Sequence, residues 1–292
     1  MNRKLLPVLI ACFLFPVVVS SCVRTSTVVK VKDDGSGEII SRYYFSPRVL
    51  MMIDQIEAAG FQPGAAGQFA DLALIREIVT PLQEDLVEDA ENYGDGVRYE
   101  KHEAGKDAEG WEGYTVVYAF EDVNEVRIDQ NTVPKKAKEF VEASGQVDEF
   151  ESGGSLTFGL DGDVLSITSS LAEGNMKELV DKRQLDQAAA MGVTPSEAMR
   201  MAANSMRGMR AGVFVRIDGG IVETSAEHVT GNLIIMSDVE VSKVMEDPDF
   251  QDFLERAMKD PELLTEDSVK ELFGKLEAMT MEMSEEVTVR MK

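Results

Sequence analysis

The sequence predicts an α+β protein whose largely antiparallel sheet is built from several β-hairpins with helices inserted between them, followed by a helical C-terminal extension. The hairpins carry this prediction: β-rich runs flank Asp-Gly turns at residues 33–37, 161–163 and 218–220. Tight turns join neighbouring antiparallel strands, whereas parallel strands need a longer crossover, usually a helix. Hydrophobic residues at 44% and charged residues at 28% of the 292 are typical of a folded domain.

The first 22 residues have the pattern of an export signal. Arg3 and Lys4 precede an apolar stretch, residues 5–19. This stretch is shorter than the roughly 20 residues of a membrane-spanning helix. Small residues then precede Cys22, as in the bacterial lipobox, where the cysteine is diacylglycerylated and becomes the N-terminus. We expect residues 1–21 to be a lipoprotein signal peptide and Cys22 to be the lipidation site. An ordinary secretory signal with an incidental cysteine is the alternative.

Acyl chains on Cys22 would anchor the protein to a membrane of the cell envelope, since each buried CH₂ contributes about 0.8 kcal/mol. Val23 stands where an Asp would indicate retention in the inner membrane, so the outer membrane is compatible with the sequence. Loss of Arg3 and Lys4 would leave a net charge of −26 against the −24 of the whole chain. Such an acidic protein is a poor nucleic-acid partner, because phosphate binding requires clustered cations.

The helices and strands follow in order from local signals. Ser46-Pro47 predicts a helix with an N-cap and proline in its first turn, ending before Gly60. Apolar or capping patterns predict further helices over residues 72–86, 135–141, 172–191 and from 194. Alternation and β-propensity predict strands over residues 25–32, 38–45, 97–102, 114–120, 155–160, 164–168, 212–217, 221–224 and 233–236. We therefore expect an α+β lipoprotein domain over residues 22–236 and an acidic, Met-rich helical extension over residues 237–292.

A segment rich in arginine and methionine, residues 199–216, is the best candidate for contact with lipid or a partner. It contains no acidic residue. At 100° per residue, one face of a helix would carry Met199, Ala202, Ala203, Met206 and Met209, with Arg200 and Arg207 on its flank. A basic amphipathic helix of this kind can rest on anionic headgroups. The alternative is a helix packed on the sheet, with its arginines paired to carboxylates. The residues that we expect at the contact are Met199, Arg200, Met206, Arg207 and Arg210.

No catalytic signature is present: the sequence lacks a G-x-S-x-G elbow, a Walker loop, G-x-G-x-x-G and H-E-x-x-H. Two alternatives stay open. An exported hydrolase with a non-standard site would use His228 and Asp238, and a metal-binding protein would use carboxylates or the thioethers of Met279, Met281 and Met283. The pattern favours a packing role for these methionines, and we expect no cofactor.

The order of these features resembles a group of bacterial lipoproteins that carry an LppM-like α+β domain. The resemblance covers roughly residues 22–240 and rests on the strand and Asp-Gly-Ser-Gly hairpin after Cys22, and on residues 118–124, 156–158, 162–165, 219–226 and 231–232. It implies an envelope lipoprotein that interacts with lipids or surface components, and it implies no catalytic residues. Many relatives carry a C-terminal membrane segment, where this chain has a Met-rich acidic helical region. We therefore expect a non-enzymatic, lipid-anchored envelope protein that binds lipid or an envelope partner through its α+β domain.

Overall fold

A computed structural model describes residues 23–58, 76–129, 134–136, 154–170, 203–204, 206–260, 263 and 265–292. The strands in these ranges are β1 (Val23–Val31), β2 (Gly37–Phe45), β3 (Arg98–Lys106), β4 (Glu112–Phe120), β5 (Arg127–Asp129), β6 (Ser155–Asp161), β7 (Val164–Ser169), β8 (Arg210–Ile217), β9 (Ile221–Thr224), β10 (Val229–Thr230), β11 (Leu233–Glu240), β12 (Met279–Met281) and β13 (Glu286–Met291). The helices are α1 (Pro47–Ala58), α2 (Gln83–Asp89), α3 (Val241–Glu246), α4 (Pro248–Lys259) and α5 (Glu266–Phe273).

The first sheet has the strand order β10-β11-β8-β1-β2-β4-β3, with β12 paired to β11. The hairpin β1–β2 is confirmed, with Val31 opposite Gly37 and Val23 opposite Phe45. Every described pairing in this sheet is antiparallel except that of β1 with β8, which is parallel and starts at Arg24 opposite Arg210. The α+β fold class and its antiparallel character are therefore confirmed.

The second sheet, in the order β5-β6-β7-β13-β9, packs on the first. Odd-numbered positions of β1 and β2, such as Val29, Val31 and Ile39, are buried in one continuous core with Leu156 and Val289 of the second sheet. The alternation arises because successive strand residues point to opposite faces. The even-numbered positions of β1 and β2 lie on the other face and are half-buried.

The two ends of the first sheet differ, and we name them by the ends of β1. The Val23 end comprises the start of β1, β4 and β8, the finish of β2, β3 and β11, and the turns at residues 107–111 and 206–209. The Val31 end comprises the opposite termini of the same strands, with the turns at residues 32–36 and 218–220. The turn at residues 161–163 in the second sheet joins the Val31 end, because Leu160 N–H donates to Asn124 there.

The C-terminal helices are present as predicted and have a core of their own. Phe250, Phe253, Leu272 and Phe273 are among its buried residues. The chain beyond residue 236 is not only helical, however. It continues β11 to Glu240, adds β12 to the edge of that strand, and ends in β13, which lies between β7 and β9. The sequence did not predict β12 and β13, because residues 279–281 and 286–291 are short alternating segments next to longer helical patterns.

Several predicted helices are only partly testable. The helix that starts at Pro47 is confirmed to Ala58. The helix predicted over residues 172–191 lies outside the described residues, and of the helix predicted from residue 194 only residues 203–204 are described as helical. The helical interpretation of the Arg- and Met-rich segment, whose predicted apolar face ended at Met209, is wrong from residue 206 onward, where a turn leads into β8 at Arg210. The predicted strand over residues 212–217 is confirmed as part of β8. The pairing of β8 with both β1 and β11 stabilises the extended conformation there, so tertiary hydrogen bonding decides against the local helical pattern. In the described part of the chain, no helix has both the length and the apolar character needed to cross a bilayer.

Candidate functional site

The predicted contact residues occupy different environments. Cys22, Met199 and Arg200 lie outside the described residues, and β1 begins at Val23, directly after Cys22. Met206 and Arg207 lie in the turn that precedes β8, where Arg207 is exposed and donates to Asn204 at 2.9 Å. Arg210 is the first residue of β8. Met206, Arg207 and Arg210 therefore share the Val23 end but do not form one helical face.

Arg24 fixes the Val23 end through four interactions. Its Nε donates to the carbonyl of Gly208 at 2.9 Å, and its two terminal nitrogens bind Asp107 at 3.0 Å and Glu109 at 2.5 Å. The guanidinium also lies 4.1 Å from the centre of the Trp111 ring, within the range of a cation–π interaction. Arg24 thus ties the start of β1 to the turns at residues 107–111 and 206–209.

Trp111, the single tryptophan of the chain, is held in place by its own turn. One oxygen of Asp107 accepts hydrogen bonds from the backbone N–H groups of Glu109 and Trp111, both at 2.9 Å. A Cβ atom at Gly208 would lie 2.9 Å from the Trp111 ring, and φ is +81° at this residue, so the close approach requires glycine. The ring is buried directly beneath Arg24.

A cavity of about 290 Å³ opens on the half-buried face of the first sheet, at the Val23 end. The strand register produces it, because Arg24 lies opposite Arg210 on β8, and residues two apart on each strand share a face. The cavity therefore brings together residues from four strands. Its lining comprises Arg24, Thr25, Ser26, Arg42, Tyr44, Arg210, Gly212, Phe214 and Asp238.

The three arginines of this cavity are not equivalent. Arg24 is paired with two carboxylates, and Arg210 forms a two-pronged pair with Asp238, with N–O distances of 2.7 and 2.5 Å. The hydrogen bonds to Asp238 raise the pKa of Arg210. Within the described residues, the Arg42 guanidinium makes no hydrogen bond or ion pair, although it is half-buried. An uncompensated positive charge is therefore present in a strongly acidic chain.

A second polar cluster lies on the opposite, buried face of the same sheet. The hydroxyl of Tyr93 bonds Ser41 at 2.9 Å and Tyr43 at 3.2 Å. The Tyr114 hydroxyl is buried and has no hydrogen-bond partner in the part of the chain that the structure describes. Burial raises the pKa of each of these tyrosines, which keeps them protonated. Asp89 at the end of α2 faces the cluster, and burial raises its pKa to about 6, although it accepts a hydrogen bond from Lys135 N–H at 2.8 Å.

The residues considered for hydrolysis do not form a catalytic arrangement. Both oxygens of Asp238 bind Arg210, and the described contacts of His228 include a backbone bond from Ile235 but none to Asp238. The other histidine, His102, bonds the hydroxyl of its neighbour Tyr99 at 2.8 Å on the edge strand β3.

The residues considered for metal binding have packing roles. Met281 is buried in the C-terminal core, and Met279 and Met283 pack against it. Among the residues that the structure describes, no group of three or more His, Cys, Asp or Glu side chains is arranged to hold a metal ion. The carboxylate of Glu282, which is buried, accepts instead from the backbone N–H groups of Glu227 and Ser284.

Comparison with known proteins gives weak structural likeness without a family match. No family model and no curated protein matches the chain. Among solved structures, the folded domain of LppM from Mycobacterium tuberculosis, determined by NMR, matches with a TM-score of 0.28 and 8% sequence identity. The match covers 73% of this chain and 80% of that one. Because this structural resemblance is weak, the role of the site rests on its geometry.

Proposed function

We propose that this protein is a non-enzymatic, lipid-anchored envelope protein that rests on an anionic membrane by its Val23 end and binds lipid there. The observation that carries the proposal is the start of β1 at Val23, directly after the expected lipidation site Cys22. One extended residue spans at most about 3.6 Å. An acylated Cys22 would therefore hold the first sheet close to the headgroups, with no flexible linker between them.

The charges of the two sheet ends favour the same orientation. The Val31 end exposes more acidic than basic side chains: Lys32, Arg98 and Arg216 stand against Asp33, Asp34, Glu121, Asp122, Asp161, Asp163 and Asp218. At the Val23 end, arginines pair with Asp107, Glu109 and Asp238. Among the described residues Arg42 has no partner there, and Arg48 and Arg207 are exposed beside it. Each Lys or Arg near an anionic membrane surface contributes about 1 kcal/mol of attraction. A chain of strongly negative net charge is repelled overall, so it approaches best by its least acidic end.

Arg24 makes this orientation rigid. It is two residues from Cys22, and its bonds to Gly208, Asp107 and Glu109 connect the anchored strand to both turns of the Val23 end. Arg24 also forms part of the cavity wall, so this residue connects the anchored start of β1 to the cavity. A lipid headgroup beside the anchor would lie next to the cavity opening.

Mass spectrometry of the protein from its native host tests the anchor. We expect residues 1–21 to be absent and Cys22 to carry acyl chains. A Cys22→Ser chain is expected to leave the membrane fraction. An unmodified cysteine, or a retained leader, would overturn the anchored function.

Tryptophan quenching tests the orientation separately. The acylated chain is placed in vesicles containing a lipid with a nitroxide on its headgroup, and Trp111 at the Val23 end is expected to be quenched strongly. The matched control carries Trp111→Phe and Val222→Trp; Val222 is 58% exposed on β9, which follows the turn at residues 218–220 of the Val31 end. We expect little quenching of that chain. Stronger quenching at residue 222 than at residue 111 would contradict the proposed orientation.

A further inference from the structure

We propose that the cavity between Arg24, Arg42 and Arg210 is a binding site for a singly charged phosphodiester. Its guanidinium groups come from three neighbouring strands, β1, β2 and β8, so the sheet fixes their spacing. Arginine is suited to such a ligand because its planar group donates two parallel hydrogen bonds to phosphate oxygens. This inference deepens the proposed function, on which it rests only for the lipid as a source of the ligand.

The charge of the cavity favours a monoanion over a dianion. Asp107 and Glu109 both bind Arg24, and Asp238 binds Arg210, so these three carboxylates balance the three arginines. Within the described residues, Arg42 is the arginine whose guanidinium has no carboxylate beside it. A phosphodiester would bring one negative charge to Arg42, whereas a dianionic phosphate monoester would bring two. A half-buried site favours the ligand that adds the smaller charge.

The two paired arginines still supply hydrogen-bond donors. A guanidinium has five N–H groups. Arg24 uses three of them in its bonds to Gly208, Asp107 and Glu109, and Arg210 uses two in its bonds to Asp238. Two N–H groups of Arg24 and three of Arg210 are left for a ligand, and Ser26 and Tyr44, whose side chains carry hydroxyls, line the same cavity. Several donors around one unpaired charge match the oxygens of a phosphate ester.

The cavity also offers an apolar wall. The Phe214 ring lies over Gly212, where a Cβ atom would be only 2.7 Å from the ring. The Tyr44 side chain extends over Gly105, with its hydroxyl 2.9 Å from the position of a Cβ atom there. Two glycines thus allow two aromatic rings to lie against the sheet. The volume of about 290 Å³ is at the lower limit for small-molecule sites, which suits a phosphate with its glycerol and not a complete lipid.

The source of the phosphodiester is either a membrane phospholipid headgroup or a free, deacylated ester of the same chemistry. The experiment uses residues 22–292 with Cys22→Ser, a chain that keeps every described element and cannot be acylated. Trp111, beneath Arg24, is the fluorescence reporter. The probes are dihexanoylphosphatidylglycerol below its micelle concentration, and glycerophosphoglycerol as its deacylated form. Calorimetric titration gives the same affinities without relying on fluorescence.

We expect saturable binding of at least one probe, weakened at least tenfold by Arg42→Gln. The matched control is Arg216→Gln, which removes an exposed arginine from the same face of β8 at the Val31 end and is expected to change the affinity less than twofold.

Equal binding of both probes supports a free ester as the source, and binding of the acylated probe alone supports a lipid. Absence of binding by both methods, or equal affinities of the Arg42→Gln and wild-type chains with unchanged unfolding midpoints, would overturn the proposal. An unmodified Cys22 in the native host would overturn the anchor but leave these affinities unaffected.

Discussion

The carboxylates at the Val23 and Val31 ends of the first sheet bind different partners. At the Val31 end, carboxylates bind backbone groups two residues away: Asp34 accepts from Ser36 N–H at 3.0 Å, and Asp122 accepts from Asn124 N–H at 3.0 Å. At the Val23 end, carboxylates bind arginines from distant segments, as in the pair of Arg24 with Asp107. Local bonds of this kind occur at both ends, since Asp107 also accepts from the backbone N–H groups of Glu109 and Trp111. The Val23 end adds arginine–carboxylate pairs between distant segments, such as Arg24 and Asp107, which are 83 residues apart.

The residues on the buried face of the first sheet also differ between its two ends. Towards the Val31 end the core combines the fully buried Val29, Val31 and Ile39 with the rings of Tyr118 and Phe120, which lie opposite Ile39 and Gly37. Towards the Val23 end it contains Tyr43 and Tyr114, whose rings lie 5.3 Å apart, and the nearby carboxylate of Asp89. Polar groups buried in this way cost stability unless they are fully bonded. The Val23 end thus combines the exposed arginines with buried polar groups of the core.

The largest expected effect compares an arginine at each end. Arg24→Ala is expected to lower the free energy of unfolding by about 3 kcal/mol, because charged hydrogen bonds to three partners and a cation–π contact are lost together. Arg98→Ala at the Val31 end removes an ion pair to Glu121 whose side chains are 60% and 81% exposed, and is expected to cost less than about 0.5 kcal/mol. Urea unfolding followed by far-UV circular dichroism measures both. If the two variants lost the same unfolding free energy, the long-range contacts of Arg24 would not stabilise the fold more than the exposed pair of Arg98.

Asp89→Asn is expected to raise stability by about 2 kcal/mol at pH 7. Burial raises the pKa of Asp89 from 3.8 to about 6, so the folded protein binds this proton more tightly than the unfolded chain. Stability should therefore fall as pH rises from about 4 to about 6 and stay level above. The asparagine keeps an oxygen that can accept from Lys135 N–H, and it carries no charge. Unfolding free energies measured at pH 4, 5, 6 and 7 should converge for the two chains at the lowest pH.

Asp34→Asn at the Val31 end is a control for which we expect the opposite change in stability at neutral pH. Hydrogen bonds from the Ser36 side chain and backbone lower the pKa of Asp34, so its carboxylate stabilises the fold above its unfolded pKa. That contribution is lost as pH falls through the folded pKa. The asparagine variant should therefore be less stable than the wild type at neutral pH and should match it in acid. A common sign for both variants would show that net charge, and not local environment, sets the pH dependence.

The sequence predicts the turns of the Val31 end better than the cavity of the Val23 end. The Asp-Gly turns are local signals, and the predicted hairpins at residues 33–37 and 161–163 are present. The predicted hairpin at residues 218–220 is wrong: both strands exist, but β8 pairs with β1 and β11, whereas β9 pairs with β13 in the second sheet. The cavity could not be predicted, because it requires the parallel pairing of β1 with β8, two segments about 190 residues apart. Strand alternation alone places Arg42 and Tyr44 on one face, but not beside Arg210. Arg210 was singled out for its charge within a helical pattern, and it belongs to the cavity through a strand.

The smallest expected effect concerns two tyrosine hydroxyls of the buried cluster. Tyr114→Phe is expected to raise the free energy of unfolding by about 1 kcal/mol, because it removes a buried hydroxyl that has no hydrogen-bond partner. Tyr93→Phe is the matched variant, since it removes the hydroxyl that bonds both Ser41 and Tyr43. We expect it to lower the free energy by about 1 kcal/mol, because two buried hydroxyls then lose a partner.

The measurement is again urea unfolding, at a pH above 6 so that Asp89 is charged in both chains. If Tyr114→Phe raises and Tyr93→Phe lowers the unfolding free energy, only some of the buried hydroxyls at the Val23 end have hydrogen-bond partners. A loss of stability in Tyr114→Phe would mean that this hydroxyl has a partner such as an ordered water, since the displaced hydrogen bond would then outweigh the removed desolvation cost. In that case the tyrosine cluster would be a complete polar network, and the contrast between the two halves of the core would be reduced to the charge of Asp89.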